Sequence, residues 1–166
     1  MATVNSSLIG ANLNASDSTA LFALGTSVDT TDGGRYQYIE ATSTLVTGAL
    51  VLIDQAGTAR ALLTAYLTGG SLGQRFGVSQ AQINQSEFGW VAKQGQNLYI
   101  LCTGTVTAAS GNGFAFSANS GRLQNAAAVG VGASALGIWI TTSASTATAS
   151  VALATLTYPR SVNAVA

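Results

Sequence analysis

An alternation of apolar residues and threonines between Asn97 and Thr107 constrains the fold of this chain more than any other feature. The apolar side chains stand at even positions, namely Leu98, Ile100, Cys102 and Val106. Threonines occupy positions 103, 105 and 107. Successive side chains of a β-strand point to opposite faces of a sheet, so this period predicts a strand with one buried face. Cys102 is then expected to be a small buried hydrophobic residue.

The same period recurs near the C-terminal end of the sequence. Leu136, Ile138 and Ile140 share one face, and the small polar residues 141–145 that follow suit a turn. Beyond this turn the apolar residues stand at odd positions, namely Ala147, Ala149, Val151 and Leu153. The two segments predict a β-hairpin whose second strand turns its odd-numbered residues to the core.

Further strand candidates cover residues 45–53, 59–67 and 88–92, and Gly-containing segments separate them. Long straight-chain helix formers are scarce, and only residues 78–86 suit a short helical turn. Frequent turn signals between short strands are typical of an all-β protein. We therefore expect a compact antiparallel β-sandwich or barrel.

The first twenty residues are small and polar, with isolated apolar side chains at Leu8, Ile9 and Leu13. A short polar segment cannot satisfy its own backbone donors by burial, so residues 1–20 are predicted to form an extended arm that orders against a neighbouring subunit. Residues 21–166 then form a single β domain.

Charge is unusually scarce. The chain of 166 residues has six basic and six acidic side chains, which is 7% of its residues, where about 25% is ordinary. A surface so poor in charge is favourable to cover, so we expect copies of the chain to associate as a homo-oligomer.

Composition also argues against several classes of protein. The chain has no histidine and one cysteine, so it cannot build a Ser-His-Asp triad, a Cys-His pair or a thiolate zinc cluster. We expect no catalytic residues, no cofactor and no metal site. A net charge of zero gives no electrostatic attraction for nucleic acid.

No membrane segment is expected either. Residues 123–159 lack charge, but Ala, Ser, Thr and Gly dominate them rather than an unbroken run of about 20 strongly apolar residues. The start of the sequence lacks the basic and apolar regions of a signal peptide, so we expect synthesis in the cytoplasm of the producing cell.

The acidic residues Asp29, Asp32 and Glu40 could in principle bind a hard metal ion. The spacing of a calcium loop is absent, however, and Asp and Gly residues in the segment 29–34 are typical of a turn. The aromatic residues are not interleaved with basic ones and are better interpreted as core and interface residues. The candidate interface comprises Leu8, Ile9, Leu13, Phe22, Tyr36, Tyr38 and Trp139.

Four short motifs carry a resemblance to a known family: FALGT at 22–26, DGGRYQYIEA at 32–41, FGVSQA at 76–81 and FGWVAKQG at 88–95. This part of the chain, residues 20–105, resembles the small β-rich capsid decoration (cement) proteins of tailed bacteriophages, those of short-tailed phages above all. Residues 123–166 match no pattern of that family.

The resemblance implies a structural protein of the virion without catalytic residues. Such proteins often sit as trimers on the outer capsid surface and lock neighbouring subunits of the major capsid protein together. Two other functions remain open. One is a phage tail or adhesin-type module that binds carbohydrate through exposed Trp and Tyr. The other is an enzyme that uses paired carboxylates alone.

Overall fold

The computed structural model describes residues 11–63, 75–103, 114–116, 121–125, 134–142 and 149–162. These residues form eleven strands and no helix, which confirms the all-β expectation. The strands are β1 (Ser16–Asp17), β2 (Ser27–Asp29), β3 (Arg35–Ala41), β4 (Leu50–Ile53), β5 (Thr58–Ala61), β6 (Arg75–Ser79), β7 (Phe88–Thr103), β8 (Phe114–Phe116), β9 (Leu123–Asn125), β10 (Ser134–Ile140) and β11 (Ala149–Val162). The described segments thus include no helix with the length and apolarity to cross a membrane.

The longest strand, β7, is the centre of the sheet. It has 16 residues and pairs with β1, β3 and β6 in its first half and with β9 and β11 in its second half. Between the halves, Gly95 and Asn97 have positive φ values of 150° and 55°. The registers of β3 and β11 both shift close to this point, so β7 changes its partners at a local irregularity of its own backbone.

Strand pairing returns to β7 along two circuits. One runs through β6, β4, β5 and β3, and the other through β11, β10, β8 and β9. The pairings in these circuits are not all antiparallel, because β5 lies parallel to β3 and β9 lies parallel to β7. The sheet is therefore mixed, although most of its strand pairs are antiparallel. Period-two alternation is the same in both kinds of pairing, so it could not reveal the difference.

Strands β3 and β4 and the first half of β7 are buried on both faces. All four residues of β4 are buried, as expected for a continuous apolar run without alternation. The side chains on one face of these strands, among them Val51 and Ile53 of β4 and Val91 of β7, form a smaller apolar cluster. The other face contributes to the larger core, which also includes the inner residues of β10 and β11.

The predicted faces of the C-terminal strands are partly correct. Leu98, Ile100 and Cys102 are buried, which confirms the even-numbered inner face of β7, whereas Val106 lies outside the described residues. Strands β10 and β11 pair antiparallel, and Ile138 and Ile140 are buried. The expected hairpin with a turn at 141–145 is wrong, however, because Ile140 pairs with Ala154 and residues 149–153 pair with β7 instead.

The inner face of β11 is the opposite of the one predicted. Ala152, Ala154 and Leu156 are buried, while Val151 is exposed. Residues paired across a sheet share a face, and Ala152 pairs with the buried Ile100. The small alanines of β11 therefore lie beside the large buried side chains of β7. The register between the two strands, and not the size of the β11 side chains, decides which face of β11 is buried.

Two further expectations need correction. Residues 78–86 form no helix, because β6 runs to Ser79 and Ile83 then makes an isolated bridge with Leu45. The N-terminal segment is not a free arm from residue 11 onward: β1 pairs with β7, and Leu13 is buried in the main core. Residues 1–10 lie outside the described part of the chain.

We predict that Gly57→Ala destabilises the fold more than Gly33→Ala. Both glycines have similar positive φ values, +86° and +81°, so both alanines suffer the same left-handed strain of about 1–2 kcal/mol. A Cβ on Gly57 would also lie 2.9 Å from Leu24 Cβ and 3.1 Å from the Gly25 nitrogen, whereas a Cβ on Gly33 meets nothing within 4 Å. Denaturant unfolding should show an additional loss of about 1–3 kcal/mol for Gly57→Ala. Equal losses for the two variants would contradict this packing.

Candidate protein interface

Three of the predicted interface residues belong instead to the core of a single chain. Leu13, Tyr36 and Tyr38 are all buried. The two tyrosines share one face of β3, and that face is covered by the main core, so their rings do not reach the surface. Leu8 and Ile9 lie outside the described residues.

Phe22 is half-buried in an aromatic cluster. Its ring lies edge-on to Tyr38 and Trp90, with 5.3 Å between ring centroids in both pairs. The Tyr38 hydroxyl accepts a hydrogen bond of 3.0 Å from the backbone N–H of Leu21. These contacts fix the segment before β2 on the domain and leave the side chains of Leu21 and Leu24 exposed. We call residues 21–24 the Leu21–Leu24 turn.

Trp139 is the one predicted interface residue that the described structure leaves largely in solvent, with 55% of its surface exposed. It lies on β10 opposite Thr155 of β11. On the same side of the sheet, Val151 pairs with Leu101 and Leu153 pairs with Tyr99. We call Tyr99, Leu101, Trp139, Val151 and Leu153 the outer face.

The outer face is apolar although it is not covered. Val151 is 51% exposed and Tyr99 is 46% exposed, while the two leucines are partly buried. The described residues between 97 and 103, 137 and 142, and 149 and 157 include no charged side chain. Threonines at 141, 142, 155 and 157 lie beside the apolar residues. Contiguous apolar surface with a polar rim is typical of an interaction site.

Backbone pairing holds the outer face in place. The second half of β7 pairs with β11 from Gln94 to Thr103, and β11 pairs with β10 on its other side. The side-chain amide of Gln80 also donates to the Tyr99 carbonyl (3.1 Å) and accepts from the Tyr99 N–H (2.9 Å). The apolar side chains of the outer face thus project from paired strands with a hydrogen-bonded backbone, and not from a loop.

Sequence reasoning missed most of this surface. It identified Trp139 but neither Tyr99 nor Val151. The signal was present for β7, because Tyr99 and Leu101 are apolar residues at the odd positions that the alternation assigns to the polar side. For β11 the sequence contains no such signal, since apolar or small residues stand at both its odd and its even positions.

The carboxylates of Asp29, Asp32, Asp54 and Glu87 make contacts within local turns or with a neighbouring strand. Asp32 accepts hydrogen bonds from the Thr30 hydroxyl and the Gly34 N–H, which confirms the turn between β2 and β3. Asp29 pairs with Arg35 at 2.5 Å, and this hydrogen bond holds the pKa of Asp29 below its usual value. Among the described residues no group of three His, Cys, Asp or Glu side chains could hold a metal ion.

Two other carboxylates have the same structural character. Glu87 accepts hydrogen bonds from the Ser16 hydroxyl and from Asn84, and these contacts lower its pKa. They also tie β1 to the turn before β7. Asp54 caps the turn between β4 and β5 by accepting from the N–H and the hydroxyl of Thr58. Its pKa is lowered because these bonds outweigh the partial desolvation of the group.

The single cysteine is chemically protected. Cys102 is buried in the main core, and burial raises the pKa of its thiol to about 11. The thiolate is the nucleophilic form, so this residue is inert at neutral pH and serves packing.

No model of a known protein family matches this sequence. A search of curated proteins likewise gives no significant match.

We predict that Tyr36 makes the fold sensitive to alkali. Burial, and then the nearby Asp32 carboxylate, raise the pKa of Tyr36 to about 12, above its unfolded value of about 10. The contribution of Tyr36 to the free energy of unfolding is therefore complete below pH 10. Between pH 10 and 12 the free energy of unfolding falls by about 2–3 kcal/mol, because the phenol ionises in the unfolded chain but not in the folded one. The buried Cys102 thiol adds a similar loss between about pH 9 and 11.

The measurement is the free energy of unfolding of the wild type and of Tyr36→Phe between pH 9 and 12. The variant should lose less stability over this range, because it has no phenol to ionise. Tyr99→Phe, which removes the same hydroxyl from a half-exposed ring, serves as the control variant. Parallel curves for the wild type and Tyr36→Phe would show that Tyr36 is not the group concerned.

Proposed function

We propose that this chain is a capsid decoration protein of a tailed bacteriophage, of the short-tailed phage type. It would bind the outer surface of the icosahedral capsid as a homotrimer and cement neighbouring subunits of the major capsid protein. After synthesis in the host cytoplasm it would reside on the virion. The observation that carries the proposal is a rigid, uncharged sheet face with large exposed apolar side chains, which suits a permanently assembled protein.

The positions of the four resembling motifs support this proposal. Residues 32–41 and 88–95 lie on β3 and β7, which pair so that Tyr38 stands opposite Trp90. Residues 76–81 include most of β6, which also pairs with β7. Phe22, from the first motif, packs on Tyr38 and Trp90. Motifs separated along the chain therefore meet in one structural unit, as a shared family fold requires.

Chemistry favours a structural role over a catalytic one. The described carboxylates that make hydrogen bonds hold turns and strands together, and Cys102 is buried with a raised pKa. We propose no enzyme activity, no cofactor, and neither nucleic acid nor membrane as a partner. Attachment by apolar contacts and hydrogen bonds should depend only weakly on salt.

We assign capsid contact to the Leu21–Leu24 turn. It lies within the resembling part of the chain, and Leu21 is 58% exposed while its backbone is fixed by the Tyr38 hydroxyl. A large apolar side chain on a fixed backbone loses little conformational entropy when it is buried by a partner. This turn is therefore better suited to capsid binding than a residue on a free loop.

A carbohydrate-binding module remains the second candidate. Trp139 and Tyr99 are exposed aromatic residues on the same side of the sheet, and aromatic rings of this kind can stack on sugars. The outer face lacks charged side chains in its described part, so the sugar would be neutral. Binding to a glycan array with loss of affinity in Trp139→Ala would favour this function over cementing.

We predict that the protein co-sediments with expanded capsids built from the major capsid protein of the same phage, in low salt and in 0.5 M salt alike. The screening length at 0.5 M is about 4 Å, so a salt-resistant complex indicates apolar contact. Leu21→Asp should weaken capsid binding about tenfold or more, because it places an unpaired charge in the contact. Gln85→Asp, which adds the same charge at another exposed turn, should bind like the wild type. Absence of co-sedimentation would reject the decoration role.

Decorated capsids should also be more stable than bare ones. A protein that binds only the assembled shell stabilises it by about 2.7 kcal/mol per site at a hundredfold excess over its dissociation constant, and the sites are many. Bare capsids should therefore rupture or release DNA at a lower temperature than capsids to which the protein has been added back. Identical rupture temperatures would show that the protein binds without cementing.

A further inference from the structure

We infer that the outer face is the surface through which one copy of this chain packs against another. The inference rests on the proposed function, which includes self-association of the chain, and adds the surface through which the copies bind each other. The capsid contact is placed elsewhere, on the Leu21–Leu24 turn, so the two surfaces can be tested separately.

The size of the outer face fits an interface of ordinary dimensions. A fully covered aromatic side chain buries about 150–250 Å², so half-exposed Tyr99, Trp139 and Val151 with two partly buried leucines offer on the order of 400 Å² of apolar surface. One side of a standard protein interface measures about 800 Å², and in homodimers about 65% of it is apolar. The apolar centre of the outer face and its threonine rim therefore approach the area that a stable complex needs.

The charge of the outer face favours a second copy as the occupant. Around the three-fold axis of a trimer the same residues of three copies come close together, so charged side chains there would risk like-charge repulsion. The described residues of the outer face and its rim include no charged side chain, which removes this risk. Depletion of charge at the centre of an interface, with Trp and Tyr as anchors, is the pattern seen where proteins associate.

The backbone of the outer face is already ordered by pairing of β7, β11 and β10. The Gln80 amide binds both polar backbone groups of Tyr99, so this part of β7 offers neither group to an additional strand. A second copy would therefore contact the outer face through side chains, with Trp139 and Tyr99 as the principal anchors. Little further ordering is needed on association, which favours a stable complex.

The test measures oligomeric state without capsids, by sedimentation equilibrium from about 1 to 100 μM protein. The wild type should be a homo-oligomer. Val151→Asp and Trp139→Ser should each raise the dissociation constant of the oligomer about tenfold or more. Gln55→Asp adds the same charge as Val151→Asp at the exposed turn between β4 and β5, and should associate like the wild type. All of these side chains are exposed, and thermal unfolding of each variant verifies that the fold is kept.

Tryptophan fluorescence provides an independent readout. The chain has two tryptophans, and Trp90 is buried while Trp139 is exposed. In the dilute wild type, acrylamide should quench the fluorescence of Trp139. The quenching should weaken as the protein concentration rises, because a second copy then covers this ring. Trp139→Ser, in which only Trp90 remains, should show weak quenching at every concentration.

The outcomes separate this inference from the function on which it rests. A wild-type oligomer that is unaffected by Val151→Asp and Trp139→Ser overturns the surface assignment and leaves the decoration role intact. A wild type that is monomeric up to 100 μM overturns both the assignment and the proposed homotrimer. Loss of capsid binding in Val151→Asp, with oligomeric state unchanged, would make the outer face the capsid contact and would also overturn the assignment.

Discussion

Backbone hydrogen bonding along β7 is the constraint on which the rest of the described sheet depends. Val91 and Ala92 each pair with both β3 and β6, and Cys102 pairs with both β11 and β9. Buried backbone donors and acceptors must be paired, so a long buried strand requires partners along its whole length. The irregularity at Gly95 and Asn97 lets one strand supply both circuits of pairing, because it allows the partners to change between the two halves.

Close packing on both faces follows from this central position. Gly89 of β7 leaves room for Ile83, whose Cδ1 would lie only 2.7 Å from a Cβ at that position. In the second half, the alanines of β11 pack over Ile100 and Leu98. Ala152 and Ala154 thus occupy the inner positions of β11 beside these large side chains, while Val151 and Leu153 of β11 face outward. The apolar outer face is a direct consequence of this arrangement.

The two surfaces assigned here differ in how they are built. The Leu21–Leu24 turn is held by side-chain contacts, through the Phe22 ring and the Tyr38 hydroxyl. The outer face is held by strand pairing, with the Gln80 amide as a supplement. Both present apolar side chains on an ordered backbone, which is what a lattice protein needs in order to bind without large entropic loss. A protein so poor in charge must rely on such contacts.

The sequence by itself determined the all-β class, the inner face of β7, the turn at Asp32 and the presence of strands in the regions of β10 and β11. These features depend on local alternation and on turn residues, which act over a few positions. Only the tertiary structure decided the parallel pairs, the burial of Leu13, Tyr36 and Tyr38, and the inner face of β11. In β11 the sequence is apolar or small on both sides, so alternation does not select a face. The register with Ile100 and Leu98 selects it, and register depends on contacts between residues about fifty positions apart, which no local pattern contains.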